Sequence, residues 1–369
     1  MTQLSKSNKE SLAEQIFDIL VHEIRTGILK PGAKLMGYRK LAKRFGVSWG
    51  TVIEALDRLE SENYIKKMSG SGTYINPDIN YQLQTVKIAF ASTAESLAIG
   101  TGINPENWRR ISESYRGIVS ETANHNAEVS YIHFELSSDD IIISRQLKRL
   151  EAFDAVIFMS QGFNKLNELF MKSGKPCVML EASEASSGKN LVVSDVPEAF
   201  ADMAEFASRK TYKKLRIISP VRNNACEIYK FNVMSAAESF NNVGIISGED
   251  YIYELNKVNF EELEKILDNN SFELKNNTEV FYLESPVSVP LFYRYCQKHN
   301  LVPGKDLGVF GYGDGIAFNN LLPEFTYSRI NFFGRGQRAC GRIIEEFCSG
   351  KSSHQTDFVD NILVKGASL

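Results

Sequence analysis

Two stretches of this chain hold residue types that could do chemistry on a partner. In the first, Lys40, Lys43 and Arg44 stand close together, and Lys66 and Lys67 follow ahead of a glycine-tipped segment, Ser69 to Gly72. Cations grouped this way suit phosphate groups, each of which they neutralise with release of a counterion. Between the two basic groups lie Ser48, Trp49, Gly50, Thr51 and Ile53, a mixture of hydroxyl, small and apolar residues. Such side chains can meet base edges, where hydroxyls accept or donate and apolar groups meet the thymine methyl. The second stretch is diffuse: Asn104, Trp108 and Arg109 lie after the first strand-like run of the larger C-terminal part. An aromatic there could stack on a sugar ring, or simply pack in a core or dimer contact.

The elements that position the first group are legible from periodicity. Leu12, Ile16, Ile19, Leu20 and Ile24 recur at helical spacing over about 10–27, and Pro31-Gly32 marks a turn. A short helix over about 38–45 turns Leu41, Ala42 and Phe45 inward. Gly46 suits a left-handed turn, and Ser48 stands where it would cap the next helix. That helix, about 49–62, carries Val52, Ala55, Leu56 and Leu59 on one stripe. Lys66-Lys67 and Gly70-Ser71-Gly72-Thr73-Tyr74-Ile75 read as a two-stranded wing, with Ser71 and Gly72 at its tip. Helix, turn, helix and wing form the layout of a winged helix-turn-helix. In it the second helix presents its N-terminal residues to the major groove.

The segment resembles the GntR family of bacterial transcription regulators. The resemblance rests on Ile24-Arg25-Thr26-Gly27-Ile28-Leu29-Lys30-Pro31-Gly32, Arg39-Lys40-Leu41-Ala42, Val47-Ser48, Thr51-Val52, Glu54-Ala55-Leu56 and the wing glycines. It implies a DNA-binding head with Arg39 among the residues that touch DNA. The departures are specific. The family's Pro-Ser before the second helix is Met36-Gly37 here. Its arginines after Val-Ser and after Thr-Val are Trp49 and Ile53. Two readings of that pair stay open: they widen the buried face, or they meet thymine methyls and sugar edges. Either way fewer guanine contacts are expected than the family norm.

Composition sets the frame. The chain has 369 residues, 43% hydrophobic and 24% charged, and a net charge of −3. Its length suits two or three globular domains. Residues 1–80 hold 12 Lys/Arg against 9 Asp/Glu, leaving 30 against 36 for the remainder. A mildly basic head therefore joins an acidic body. Five scattered cysteines without a CxxC pair fit a reduced, cytoplasmic setting better than a disulfide framework or zinc site. The polar start has no apolar h-region, and no apolar run approaches the ~18 residues of a membrane span.

After a linker over 77–85 come short apolar runs: 86–90, 155–159, 177–180, 191–193, 215–218, 280–283 and 307–310. Helical stretches separate several of them, at about 107–124, 163–173, 195–210, 224–242 and 286–299. Near-continuous apolar strands between helices indicate parallel sheets covered on both faces. The expected fold class is α/β: a small winged head over 1–76 and a two-lobed body over 86–369.

The body resembles LacI-type effector domains, which have a periplasmic-binding-protein-like fold. The resemblance lies in Leu301-Val302-Pro303-Gly304 through Phe310-Gly311-Tyr312-Gly313-Asp314, in Pro323-Glu324-Phe325-Thr326-Tyr327, in the helical stretch 334–350, and in the runs at Phe153–Ile157 and Lys175–Val178. It implies a small-molecule effector, a sugar or sugar derivative, held between two lobes. Asp314 matches the family's acceptor for sugar hydroxyls, and Lys230 falls where members often carry an arginine. The architecture as a whole is arabinose-repressor-like. It implies a homodimer on double-stranded operator DNA that represses carbohydrate-utilisation genes, with no membrane partner.

No catalytic set emerges. His22, His125, His133, His299 and His354 have neither metal spacing nor a neighbouring nucleophile motif. Glu261-Glu262 and Glu345-Glu346 are expected on exposed helix faces, and Asp195 as a helix cap. No cofactor or metal is expected. The rival readings are a head fused to a pyridoxal-phosphate enzyme body, which needs a longer body and a recognisable Schiff-base lysine, and a body that only dimerises.

Overall fold

A computed structural model describes residues 11–369 except 26, 79–84, 94–97, 100–101, 104, 136, 138, 160–162, 181–189, 221–226, 249–250, 314–317 and 350–354. The linker expected over 77–85 falls mostly outside the described residues, as do Asn104 and Asp314.

The head holds α1 (Leu12–Arg25), α2 (Tyr38–Phe45), α3 (Trp49–Ser61), β1 (Ile65–Met68) and β2 (Gly72–Ile75). Ile16, Leu20 and Ile24 of α1 meet Leu41 and Phe45 of α2 and Val52, Leu56 and Leu59 of α3 in one core, sealed by Ile65 and Ile75 of the wing. The i, i+4, i+8 spacing on α1 puts those side chains on one stripe, which is why this segment is a helix that buries one face. Gly46, at φ 65° and ψ 31°, makes the tight turn between α2 and α3, a left-handed conformation that costs other residues a steric penalty. Arg58 of α3 lies over the Phe17 ring of α1 at 3.9 Å.

The body continues with β3 (Val86–Thr93), β4 (Ala98–Ile99), β5 (Gly102–Ile103), α4 (Pro105–Thr122), β6 (Ala127–Phe134), α5 (Asp140–Leu150), β7 (Ala155–Phe158), α6 (Asn164–Met171) and β8 (Cys177–Met179). It goes on through β9 (Leu191–Ser194), α7 (Val196–Ser208), β10 (Lys214–Pro220), α8 (Glu227–Asn242), β11 (Ile252–Leu255), α9 (Phe260–Asn269), β12 (Glu279–Leu283) and α10 (Ser288–Lys298). The last elements are β13 (Gly308–Tyr312), β14 (Thr326–Arg329), α11 (Phe332–Ser349), β15 (Thr356–Val359) and β16 (Ile362–Val364).

The chain folds into two compact units. The first comprises Met1–Ala94, Tyr115–Leu180 and Gly336–Gln355; the second comprises Glu95–Ser114, Glu181–Arg335 and Thr356–Leu369. In the first, four parallel strands run in the order β8-β7-β3-β6. In the second, the sheet order is β11-β10-β12-β13-β14-β16, parallel except for β16. The central strands are buried along their length, as β7 and β12 show, so their sequences read as unbroken apolar runs. Phe240, Tyr282 and Phe310 stack in series within the second unit's core, at 4.8 and 5.2 Å between ring centroids.

Both sheets have a topological switch point. In the second unit the chain leaves β10 for β11 on one side, then crosses to β12 on the other. In the first it leaves β3 for β6, then crosses to β7. Such a reversal opens a crevice at the strand carboxyl ends, where ligands of open α/β sheets sit.

The sequence expectations differ from the structure at the sheet edges. β6 was not expected, because AEVSYIHF mixes polar and apolar residues, as an edge strand with one wet face does. The expectation that Glu345-Glu346 lies on an exposed face holds for Glu345 and is corrected for Glu346. Glu346 is buried and accepts from Arg342, itself buried, one turn earlier on α11. The cysteines resolved as free thiols, Cys177, Cys296 and Cys340, are buried, and burial pushes each thiol up to about 12.

Candidate nucleic-acid interface and effector site

The candidate reading element is the N-terminal turn of α3. Ser48 caps it: its Oγ accepts from the Thr51 backbone N–H at 3.2 Å and lies 2.8 Å from the Thr51 hydroxyl. The cap leaves Trp49 as the first helical residue, 62% exposed. Gly50 is exposed, while Thr51 and Ile53 are half-buried. The buried stripe of α3 is Val52, Ala55, Leu56 and Leu59, so Trp49 lies outside the packed face. Trp49, Ile53 and Asp57 follow at i, i+4 and i+8, along one side of the helix.

The structure sorts the predicted cations into two groups. Arg39, Lys40 and Lys43 project from α2, exposed, and among the described residues none makes an ion pair. Arg44 is engaged by Glu23 of α1 through its Nη1 and Nη2, one bond 3.1 Å long and the other shorter. Lys66 pairs with Asp78. Lys67 reaches Asp57 at 2.6 Å and Glu60 at 2.7 Å, which ties the wing to α3. Partial burial works against the Lys67 charge, but its bonds to Asp57 and Glu60 outweigh that and hold the ammonium above the usual lysine range. At the wing tip, Ser71 lies 2.9 Å from the Tyr74 hydroxyl, and Gly72 takes φ 116°.

In the body, Trp108 and Arg109 fall in the N-terminal part of α4 and Lys230 in the first turn of α8. Trp108 is 52% exposed, Lys230 exposed and Arg109 half-buried. Asp195 caps α7 by accepting from Glu198 N–H at 3.1 Å, as expected of it.

The switch points hold polar residues that sequence reasoning missed. At the carboxyl ends of β10 and β12, Ser219, Glu284 and Ser285 are buried, and Ser219 donates to the Glu284 carboxylate at 3.5 Å. Ser288, fully buried at the start of α10, has a hydroxyl with no partner among the described residues. In the first unit, β3 ends in buried Ser92 and Thr93, and the Ser92 hydroxyl lies 2.5 Å from that of Tyr131. The signal was present in the sequence: Ser92-Thr93, Ser219-Pro220 and Glu284-Ser285 each follow an apolar run without a break. A buried carboxylate and hydroxyls at strand ends supply acceptors and donors for a polyhydroxylated ligand.

Among the described residues, Glu264, Asp268 and His299 offer possible metal-ligand atoms within 4.8 Å of one another. Their carboxylates already hold the Lys298 ammonium at 2.6 Å and the Tyr295 hydroxyl at 2.9 Å. No helix among the described residues is long and apolar enough to cross a membrane.

Comparison with known proteins gives the head its family and the body its fold. Residues 12–75 match the family described as bacterial regulatory proteins, gntR family. The HTH-type pyridoxine biosynthesis transcriptional regulator PdxR of Corynebacterium glutamicum is 36% identical over 94 residues, covering 26% of this chain and 20% of that protein. The chain thus spans only a fifth of the length of that relative. A LacI family transcriptional regulator from Bifidobacterium animalis subsp. lactis superposes with a TM-score of 0.57 at 14% identity, over 76% of this chain and 97% of the other. Another from Enterococcus faecium, solved with bound ribose, gives 0.54 at 14% identity over 76% and 98%. Residues 12–75 are therefore a gntR-family helix-turn-helix domain, carried on a body with the two-lobed fold of LacI-family regulators.

Proposed function

We propose that the chain is a sequence-specific DNA-binding transcription regulator controlled by a small-molecule effector, a sugar or sugar derivative. The observation that carries the DNA half is the exposed N-terminal turn of α3, with Arg39, Lys40 and Lys43 of α2 exposed nearby in sequence, inside the gntR-matched segment. A helix N-terminus with free N–H groups and cations beside it suits a phosphate backbone and a major groove. The effector half is supported by the buried Ser219, Glu284 and Ser285 at a switch point, and by the ribose held in a protein of the same fold. Asp314, Asn104, Trp108, Arg109 and Lys230 belong to this proposal as effector contacts.

In this reading residues 1–76 bind DNA, 77–85 link, and 86–369 sense and dimerise. A homodimer in the cytoplasm meets two half-sites about one helical turn apart, or a multiple of it, and represses carbohydrate-utilisation genes. No catalytic step is assigned to the body. The switch is allosteric only if effector and operator change each other's affinity by the same factor.

A selection from random duplex DNA with the full chain supplies the site, and a monosaccharide panel is then titrated against it. At 100 times its Kd, a bound sugar raises stability by about 2.7 kcal/mol, which a thermal shift detects. Failure to enrich any site rejects the DNA half. A sugar that stabilises the protein yet leaves operator affinity unchanged rejects the switch.

A further inference from the structure

We infer that the head discriminates its half-site chiefly through thymine methyl groups, met by Trp49 and Ile53 in the major groove. The half-site is then biased to A·T pairs opposite the first two turns of α3. The inference rests on the DNA-binding reading above and deepens it by naming which bases are read and by what.

Four observations converge on it. Trp49 opens α3 with 62% of its surface exposed, although the packed stripe of the same helix is only a few residues away. Among the described residues, no aromatic ring or cation is in contact with its indole. Ile53 follows one turn later on the same side, half-buried. The hydroxyls of Ser48 and Thr51, which could have read base edges, lie 2.8 Å apart, and Ser48 also caps the helix.

The cations of the wing and the one at the end of α2 are engaged. Lys67 is held by Asp57 and Glu60, Lys66 by Asp78 and Arg44 by Glu23. Asp57 is the next residue along the Trp49–Ile53 side, and the Lys67 ammonium, shared with Glu60, offsets part of the carboxylate charge on that line. Apart from the indole N–H, what this side presents to a base pair is carbon. The major groove displays one apolar group, the C5-methyl of thymine, and no other base pair edge can satisfy an indole and an isoleucine. Arg39, Lys40 and Lys43 on α2 are left to grip phosphates, which positions the head without specifying sequence.

The test uses the full chain and the duplex enriched from a random pool. Each thymine is replaced in turn by deoxyuridine, which keeps the pairing and removes only the methyl. The expected result is one or two positions per half-site where deoxyuridine weakens wild-type binding about fourfold, the worth of one buried methyl-sized group. Trp49→Ala or Ile53→Ala should bind more weakly overall and be indifferent to deoxyuridine at the same position. The exposed indole makes Trp49→Ala a variant whose melting temperature should match wild type, which checks its fold. Wild-type binding that tolerates deoxyuridine everywhere, with a site still enriched, overturns this inference and leaves the DNA-binding reading standing. Equal methyl sensitivity in wild type and both variants also overturns it. Failure to enrich any sequence overturns both.

Discussion

The head and the second unit of the body place their polar and apolar groups in opposite ways. On the head, an indole stands in solvent while Arg44, Lys66 and Lys67 are paired with carboxylates. In the second unit, serines and a glutamate are buried at the ends of strands. The contrast separates two kinds of recognition. A duplex is met by an open convex surface, where the exposed group chooses the base and diffuse charge supplies the grip. A small ligand must be enclosed, so the groups that recognise it are desolvated in advance and their cost is built into the fold.

The same contrast appears in the ion pairs, and it can be broken most forcefully there. Glu279 is fully buried on β12, and Arg216 meets it at 2.9 and 3.4 Å. Arg216→Ala should cost about 3 kcal/mol in the body, because it strands a buried carboxylate; Lys214 at 4.0 Å softens the loss. Denaturant unfolding followed by body fluorescence measures it. A loss below about 1 kcal/mol would put this pair on the same footing as the exposed pairs of the head.

The second test concerns the proposed effector site. Glu284→Leu should abolish the thermal shift given by whichever sugar stabilises the wild type, up to about 2.7 kcal/mol at 100 times Kd. Operator affinity without sugar should stay unchanged. A full shift in the variant would remove Glu284 from the site.

Smaller effects belong to the head. Ser48→Ala removes the cap of α3 and should cost about 1 kcal/mol of head stability, read by thermal melting. Smallest is a difference between two cations. Arg39→Ala should lower the slope of log K against log salt by about 1, as loss of one phosphate contact does. Lys66→Ala should leave the slope nearly unchanged, since Asp78 already holds that ammonium, and should alter stability by less than about 1 kcal/mol. Equal slopes for the two variants would erase the division between free and engaged cations.

Most of the fold was legible because its signals are local. The stripes of α1 and α3, the Gly46 turn, the Ser48 cap and the apolar runs of β3, β7, β10, β12 and β13 each lie within a dozen residues. The edge strand β6 and the short β15 were not, since their partly polar sequences take their pairing from distant neighbours, and β16, only three residues long, is too short to show a pattern. The site was legible by position and not by state. Trp49 could be placed on the reading helix, but its exposure depends on how α3 packs against α1. Arg44 could be counted as a cation, but Glu23 is 21 residues away and meets it only in the folded head. Ser219 and Glu284 lie 65 residues apart and become neighbours only because β10 and β12 pair.

Among the described residues, the core of the head is drawn wholly from those between Ala13 and Ile75. Each compact unit, by contrast, is assembled from three separate stretches of chain. A single recombination event can therefore move the head intact from one gene to another, whereas no single cut can lift either unit's share of the body. A relative that matches this chain over 94 residues, a fifth of its own length, fits such an asymmetry. A head built this way can travel as a cassette, joined to whichever body lies downstream of the crossover.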